Sequence, residues 1–149
     1  MQGDPSHKRV CLVFTADDHA DGAQRIISTL KRQGVQGAFF FTGRFFDKYP
    51  DVVRQLLADG HYVGTHSYGH LLYAPWDNRD SCLVNKQEFV DDLKWAYAKM
   101  AQFGITPQSA PYFIPPYEWY NVHNASWARQ MGLQIVNFTG GTPSNEDYT

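Results

Sequence analysis

The chain has 149 residues, of which 43% are hydrophobic and 19% are charged, and its net charge is −2 at pH 7. This composition predicts a globular domain with a packed core and argues against a disordered chain. A net charge this small gives no general attraction to nucleic acid. The sequence lacks an apolar run of about 18 residues, which a transmembrane helix would need. We predict a polar N-terminal tail over 1–8, without the apolar core of a signal peptide, and a folded domain over 9–149.

Short apolar runs alternate along the chain with segments of helical periodicity. Residues 9–15, with the sequence RVCLVFT, predict a first strand that is buried on both faces. A helix follows, with apolar positions at helical spacing up to Gly34, and residues 37–42 (GAFFFT) predict the second strand. Pro50 suits the first turn of the next helix, which Gly60 ends.

The second half continues the alternation after a long aromatic connection over residues 66–84. Asn85 and Glu88 have the spacing of a helix capping box. The remaining predicted elements are strands at 61–65, 110–114 and 133–138 and a helix at 122–131. Such alternation predicts a parallel sheet with right-handed crossovers, either open or rolled into a barrel. Five strands are too few to close a parallel barrel, so we expect the barrel to be incomplete at the C-terminus.

Polar residues that can perform chemistry follow three of the predicted strands. Asp17 and Asp18 follow the first strand, His66 and His70 follow the third, and the segment 115–117 follows the fourth. In parallel α/β folds the functional groups gather at the carboxyl ends of the strands. We therefore expect these side chains to converge on one rim of the sheet.

The residue types in these clusters suit a divalent metal. Two histidines four residues apart can face one ion, and a carboxylate from elsewhere completes a site with open positions for water. With two adjacent aspartates, one can bind the metal while the other acts as a base toward the metal-bound water. Surface or capping histidines and a simple Asp turn are the alternatives. The combination of both clusters at strand ends favours a metal site.

The same segments resemble the motifs of the polysaccharide deacetylases of carbohydrate esterase family 4, also known as the NodB homology domain. Residues 15–19 read TADDH where the family has T-F-D-D-G, and residues 66–70 read HSYGH, a full match to H-[ST]-x-x-H. Residues 114–117 read IPPY where the family has R-x-P-Y. The resemblance extends over about residues 10–138.

The resemblance implies an α/β fold, a distorted parallel (β/α) barrel of the NodB type, and a metal-dependent hydrolase. The reaction would remove acetyl groups, most often N-acetyl, from a polysaccharide or oligosaccharide. The cofactor would be a divalent metal, most often Zn, with Co, Ni, Mn or Fe as alternatives. The protein would be secreted, periplasmic or on the cell surface, and its partner would be the acetylated carbohydrate rather than nucleic acid.

The resemblance also assigns roles to individual residues. The metal ligands would be Asp18, His66 and His70, and Asp17 would be the catalytic base. Tyr117 would be catalytic through its backbone N–H, which stabilises the negative oxygen of the tetrahedral intermediate. The implied substrate-binding residues are Pro116, Tyr117 and Trp119.

Three positions depart from the family pattern. Ile114 stands where an arginine would pair with the base, which predicts that Asp17 lacks a charged partner. His19 replaces a glycine, and the family's late histidine, which protonates the leaving amine, belongs to a motif beyond residue 149. His123, at a helix start, is not assigned that role. These departures leave three alternatives: a metal-binding or sugar-binding relative without turnover, an amidase on a small non-sugar substrate, and an ordinary interaction domain without metal.

Overall fold

The computed structural model of the protein describes residue 6 and residues 10–138. It confirms the predicted α/β alternation: five parallel strands form one open sheet, in chain order from β1 to β5. The strands are β1 Val13–Ala16, β2 Ala38–Phe41, β3 Tyr62–Thr65, β4 Tyr112–Phe113 and β5 Gln134–Ile135. The predicted N-terminal tail, apart from Ser6, and the segment 139–149 lie outside the described residues.

The helices lie where sequence signals begin and end them, with one exception. They are α1 Ala23–Gln33, α2 Gly43–Lys48, α3 Pro50–Ala58, α4 Lys86–Met100 and α5 Val122–Gln130, with 3-10 turns at Ala101–Phe103 and Pro116–Glu118. Gly34 ends α1 with φ 64°, and Asn85 and Glu88 form the predicted capping box of α4. The sequence did not predict α2, which begins where the Thr42 hydroxyl accepts a hydrogen bond from the Phe45 N–H. None of the helices in the described part of the chain is long and apolar enough to cross a membrane.

Aromatic side chains build much of the core between sheet and helices. The Phe41 and Phe45 rings stack with centroids 4.0 Å apart, which joins β2 to α2. On the other side of the core, Phe89 of α4 contacts the rings of Tyr73, Phe113 and Trp127. Burying each such ring stabilises the fold by about 1.5–3 kcal/mol. The core therefore fixes α2 and α4, the two helices that approach the carboxyl ends of the strands.

Strand β1 alternates between exposed and partly buried residues, and the prediction that it is buried on both faces is wrong. Among the described residues β1 pairs only with β2, so one side of it has no neighbouring strand. Val13 is 41% exposed, Leu12 42% and Val10 89%. The run is apolar as in a buried strand, but burial on both faces also requires elements that cover it, and the described residues supply these on one side only.

The ends of β1, β2, β3 and β4 line up along one rim of the sheet. The ladder continues past the strands, where the N–H groups of Thr42, His66 and Ile114 donate to Ala16, Phe41 and Thr65 respectively. Because the strands are parallel, the residues that follow them emerge on the same side. Asp17 and His66 are thereby placed on a common rim, as predicted.

Candidate active site

His66 is held through one ring nitrogen, which leaves the other ring nitrogen free. It follows β3 directly, is 3% exposed, and its Nδ1 lies 2.8 Å from the carbonyl oxygen of Ile114. A carbonyl can only accept, so Nδ1 carries the proton and Nε2 keeps a free lone pair. A histidine ligand is commonly fixed in this way by a partner on its other nitrogen.

His70 lies beside His66, with ring centroids 5.0 Å apart. Burial lowers the pKa of His66 to about 4 and also lowers the pKa of His70, while the charge of Asp17 raises both. Both imidazoles are therefore neutral near pH 7, the protonation state that metal coordination requires.

A buried carboxylate from α4 holds the loop that carries the two histidines. The Oδ2 of Asp92 accepts the N–H of Tyr68 at 3.0 Å and its Oδ1 accepts the N–H of Gly69 at 2.9 Å. Ser67 and His70 adopt left-handed φ values of 75° and 54°, and the Ser67 hydroxyl accepts the His70 N–H. Burial raises the pKa of Asp92, whereas the hydrogen bonds from the two amides lower it. Asp92 thus stabilises the loop in which Ser67 and His70 have a backbone conformation that non-glycine residues rarely adopt.

We expect Asp92→Ala to lower the free energy of unfolding by about 2 kcal/mol, because two buried N–H groups lose their acceptor. Urea denaturation measures the change. Asp91→Ala is the matched control, since the neighbouring carboxylate of Asp91 accepts a hydrogen bond from the exposed Gln87. Equal unfolding free energies for the two variants would contradict the role assigned to Asp92.

Asp17 has an arginine partner, although not from the position that the sequence comparison indicated. Arg44 of α2 donates from Nε at 3.0 Å and from one terminal nitrogen at 2.6 Å to the two carboxylate oxygens, and the Thr42 hydroxyl donates at 2.8 Å. The prediction that Asp17 lacks a charged partner because Ile114 replaces an arginine is therefore wrong. Ile114 instead contributes its carbonyl oxygen to His66.

Asp18, the predicted third ligand, points its carboxylate to Lys48. The Lys48 Nζ lies 2.9 Å from Oδ1 of Asp18, and this hydrogen bond and charge lower the pKa of Asp18. Within residues 10–138 no three His, Cys, Asp or Glu side chains come together as a metal site. The structure brings His66 and His70 together, whereas the side chain of Asp18, which is 56% exposed, pairs with Lys48.

Tyr117 borders the histidine pair from the segment after β4. Its ring lies 4.6 Å from the His70 ring, it is 47% exposed, and its φ of 60° is left-handed. Pro116 is buried beneath it, while the Trp119 indole N–H donates to the carbonyl of Pro75. Strain of this kind is often found where a side chain is held for function. His123 is exposed at the start of α5, and His19 is exposed beside Asp21.

Sequence reasoning missed Arg44, Lys48 and Asp92. Arg44 and Lys48 lie on α2, a six-residue helix too short to show periodicity. Asp92 had a readable signal, because it occupies an inward position of α4 between the buried Phe89 and Ala96. A carboxylate on an apolar helix face is a candidate for a buried structural or functional role.

Comparison with known proteins identifies the family and the fold of the chain. The family model for polysaccharide deacetylase matches residues 2–136. A peptidoglycan N-acetylglucosamine deacetylase of Bacillus cereus is 25% identical over 144 residues, covering 95% of this chain and 48% of that protein. A family 4 carbohydrate esterase from Bacillus anthracis superposes with a TM-score of 0.76 at 23% identity, covering 90% of this chain and 61% of that one.

A family 4 pseudoenzyme from Bacillus anthracis has the same fold, with a TM-score of 0.68 at 21% identity, and covers 88% of this chain and 44% of that one. The solved structures confirm the predicted NodB-type fold. The chain spans between 26% and 48% of the length of the curated relatives that it matches first. Because the family model covers nearly all of the sequence, the chain belongs to the polysaccharide deacetylase family.

Proposed function

We propose that the chain is the metal-binding part of a deacetylase that hydrolyses N-acetyl groups on an amino-sugar polymer. The observation that carries this proposal is the pair of neutral imidazoles, His66 and His70, whose rings lie side by side on the rim of the sheet. The Bacillus cereus relative acts on peptidoglycan according to its name, and we propose the same substrate class here. Such a polymer lies outside the cytoplasm, which is where we propose the protein acts.

The donor set suits a divalent metal held by His66, His70 and Asp18. The histidines offer two neutral nitrogens, and Asp18 is exposed enough for its carboxylate to exchange Lys48 for a cation. Exposed ion pairs contribute little stability because water screens them, so this exchange costs little. A bound metal, with zinc as the first candidate and Co, Ni, Mn or Fe as alternatives, would lower the pKa of a water molecule and polarise the acetyl oxygen.

The remaining roles fall to residues around this pair. Asp17 takes the proton of the attacking water, and Arg44 and Thr42 hold its two oxygens in a fixed orientation. The backbone N–H of Tyr117 stabilises the developing oxyanion. Pro116, Tyr117 and Trp119 contact the sugar that carries the acetyl group, with the Tyr117 ring already against His70.

Acetate release from N-acetylglucosamine oligomers and from purified peptidoglycan tests the function. The protein is loaded with zinc or cobalt, and acetate is measured before and after chelation. We expect release that chelation removes and that added metal restores. Absence of acetate from both substrates with a metal-loaded protein would overturn the proposal.

Arg44→Met should lower kcat by about 10- to 100-fold, because the base loses the two parallel hydrogen bonds that orient it. Arg44→Lys should recover only part of the rate, since an ammonium cannot contact both oxygens in the same way. Steady-state kinetics measure both variants. Arg54→Met, which removes an exposed arginine paired with Asp51, is the control and should retain the wild-type rate. A wild-type rate for Arg44→Met would contradict the assignment.

A metal-binding or sugar-binding relative without turnover is the second candidate. The ion pair between Asp18 and Lys48 favours it, because the pair occupies the carboxylate that a metal needs. A family 4 pseudoenzyme with a similar fold shows that catalytic loss occurs on this architecture. This candidate predicts that metal binds while no acetate is released, so the acetate assay and a metal-content measurement together separate the two functions.

A further inference from the structure

A row of aromatic rings leads away from the histidine pair along the surface. The Tyr117 ring that contacts His70 also contacts Trp76, with centroids 5.6 Å apart at 82°. The ring of Trp76 lies 5.5 Å from that of Trp119. Trp76 is 59% exposed, so more than half of its side-chain surface is accessible to a ligand.

Contacts between two segments fix this surface in place. The indole N–H of Trp119 donates to the carbonyl of Pro75, directly before Trp76. From the same connection, Arg79 lies over the Trp119 ring at 4.3 Å and donates from Nε to the carbonyl of Tyr120 at 2.7 Å. The rings are therefore ordered before any ligand arrives, which lowers the entropic cost of binding.

We propose that Trp76, which packs against Trp119, binds a second sugar ring of the polymer, next to the sugar whose acetyl group lies at His66 and His70. Indole faces present a flat apolar surface with a polar N–H, which suits the apolar face and hydroxyl rim of a pyranose. The single ring of Tyr117 separates Trp76 from His70, so a linear glycan that reaches the histidines passes over Trp76. This inference rests on the proposed function and extends it to the length of the substrate.

The charges around the aromatic platform, which is formed by the rings of Trp76 and Trp119, favour a neutral sugar ring as its ligand. The guanidinium of Arg79 is already engaged by the Trp119 ring and the Tyr120 carbonyl. Recognition should therefore come from stacking on the rings rather than from a charged group of the ligand.

The test compares Trp76→Ala with Trp95→Ala. Trp95 is also 59% exposed and therefore matches Trp76 in exposure. It lies on α4, where its ring contacts Tyr68. Isothermal titration measures the affinity of each protein for the N-acetylglucosamine monomer and tetramer. We expect the ratio of tetramer to monomer affinity to fall by about tenfold in Trp76→Ala, which equals about 1.4 kcal/mol, and to stay at the wild-type value in Trp95→Ala.

An unchanged ratio in Trp76→Ala, or an equal fall in both variants, would overturn the proposal. A shift in sedimentation of Trp76→Ala relative to wild type would also overturn it, since that result would make Trp76 a contact between two copies of the chain. The titration needs no turnover, so a protein that binds the tetramer through Trp76 but releases no acetate would sink the proposed activity and leave the platform in place.

Discussion

Asp17→Asn should lower the rate of acetate release by about two to four orders of magnitude, the range over which a positioned general base contributes. An asparagine amide cannot take a proton from water, while it keeps the size of the side chain and an oxygen that Arg44 or Thr42 can still reach. The loss should appear in kcat, because the proton transfer occurs during the reaction and not on binding.

The control for this variant is Asp21→Asn, a change of the same chemistry in the same turn. Asp21 is 92% exposed, and its carboxylate lies 3.7 Å from the ring Nδ1 of His19. We expect this variant to release acetate at the wild-type rate and to have the same thermal midpoint. If Asp17→Asn kept more than about a tenth of the wild-type rate while remaining folded, another group would have to be the base.

His66→Gln should lower metal affinity by at least about 100-fold, since changes to the outer partners of metal ligands alone cost about 10–100-fold. Glutamine can still donate an N–H toward the Ile114 carbonyl, so the packing after β3 has a replacement for one contact. Glutamine has no neutral ring nitrogen with which to bind the metal. Metal content after dialysis against a defined free-metal concentration measures the effect.

His70→Gln provides a second variant at a half-buried position, where misfolding is less of a concern. His123→Gln is the control, because His123 is exposed at the start of α5. We expect both His66→Gln and His70→Gln to lose metal and His123→Gln to retain it. Metal retention in both of the first two variants would remove the imidazole pair from the proposed site.

The parts of the fold that could be predicted are those with local signals. Gly34 marks the end of α1 through a left-handed φ, and the Asn85–Glu88 box marks the start of α4 through side-chain hydrogen bonds to the backbone. Apolar runs mark strands β2 and β3. The burial of β1 could not be read from its own residues, because burial depends on which other elements cover a strand. An apolar run gives the tendency to be buried, and the neighbours decide the outcome.

The candidate site also contains residues that could be predicted from the sequence and residues that could not. His66, His70 and Asp17 could be placed on one rim because parallel strands put their carboxyl ends together. The source of the arginine beside Asp17 could not be predicted, since Arg44 reaches it from 27 positions along the chain, through a helix without its own signal. The orientation of Asp18 also depends on a lysine from that helix, Lys48. Pairings between distant polar side chains leave no periodic trace.

The unpaired side of β1 is the place where a further strand can add to the described sheet. Within the described residues, one row of main-chain donors and acceptors on β1 faces no neighbour, and apolar side chains at Val10 and Leu12 stand beside it. A strand that pairs with β1 forms backbone hydrogen bonds and also buries these apolar side chains. The exposed edge of β1 can therefore pair with a further strand in a larger sheet. Between two molecules at high concentration, it can pair with another copy and cause aggregation.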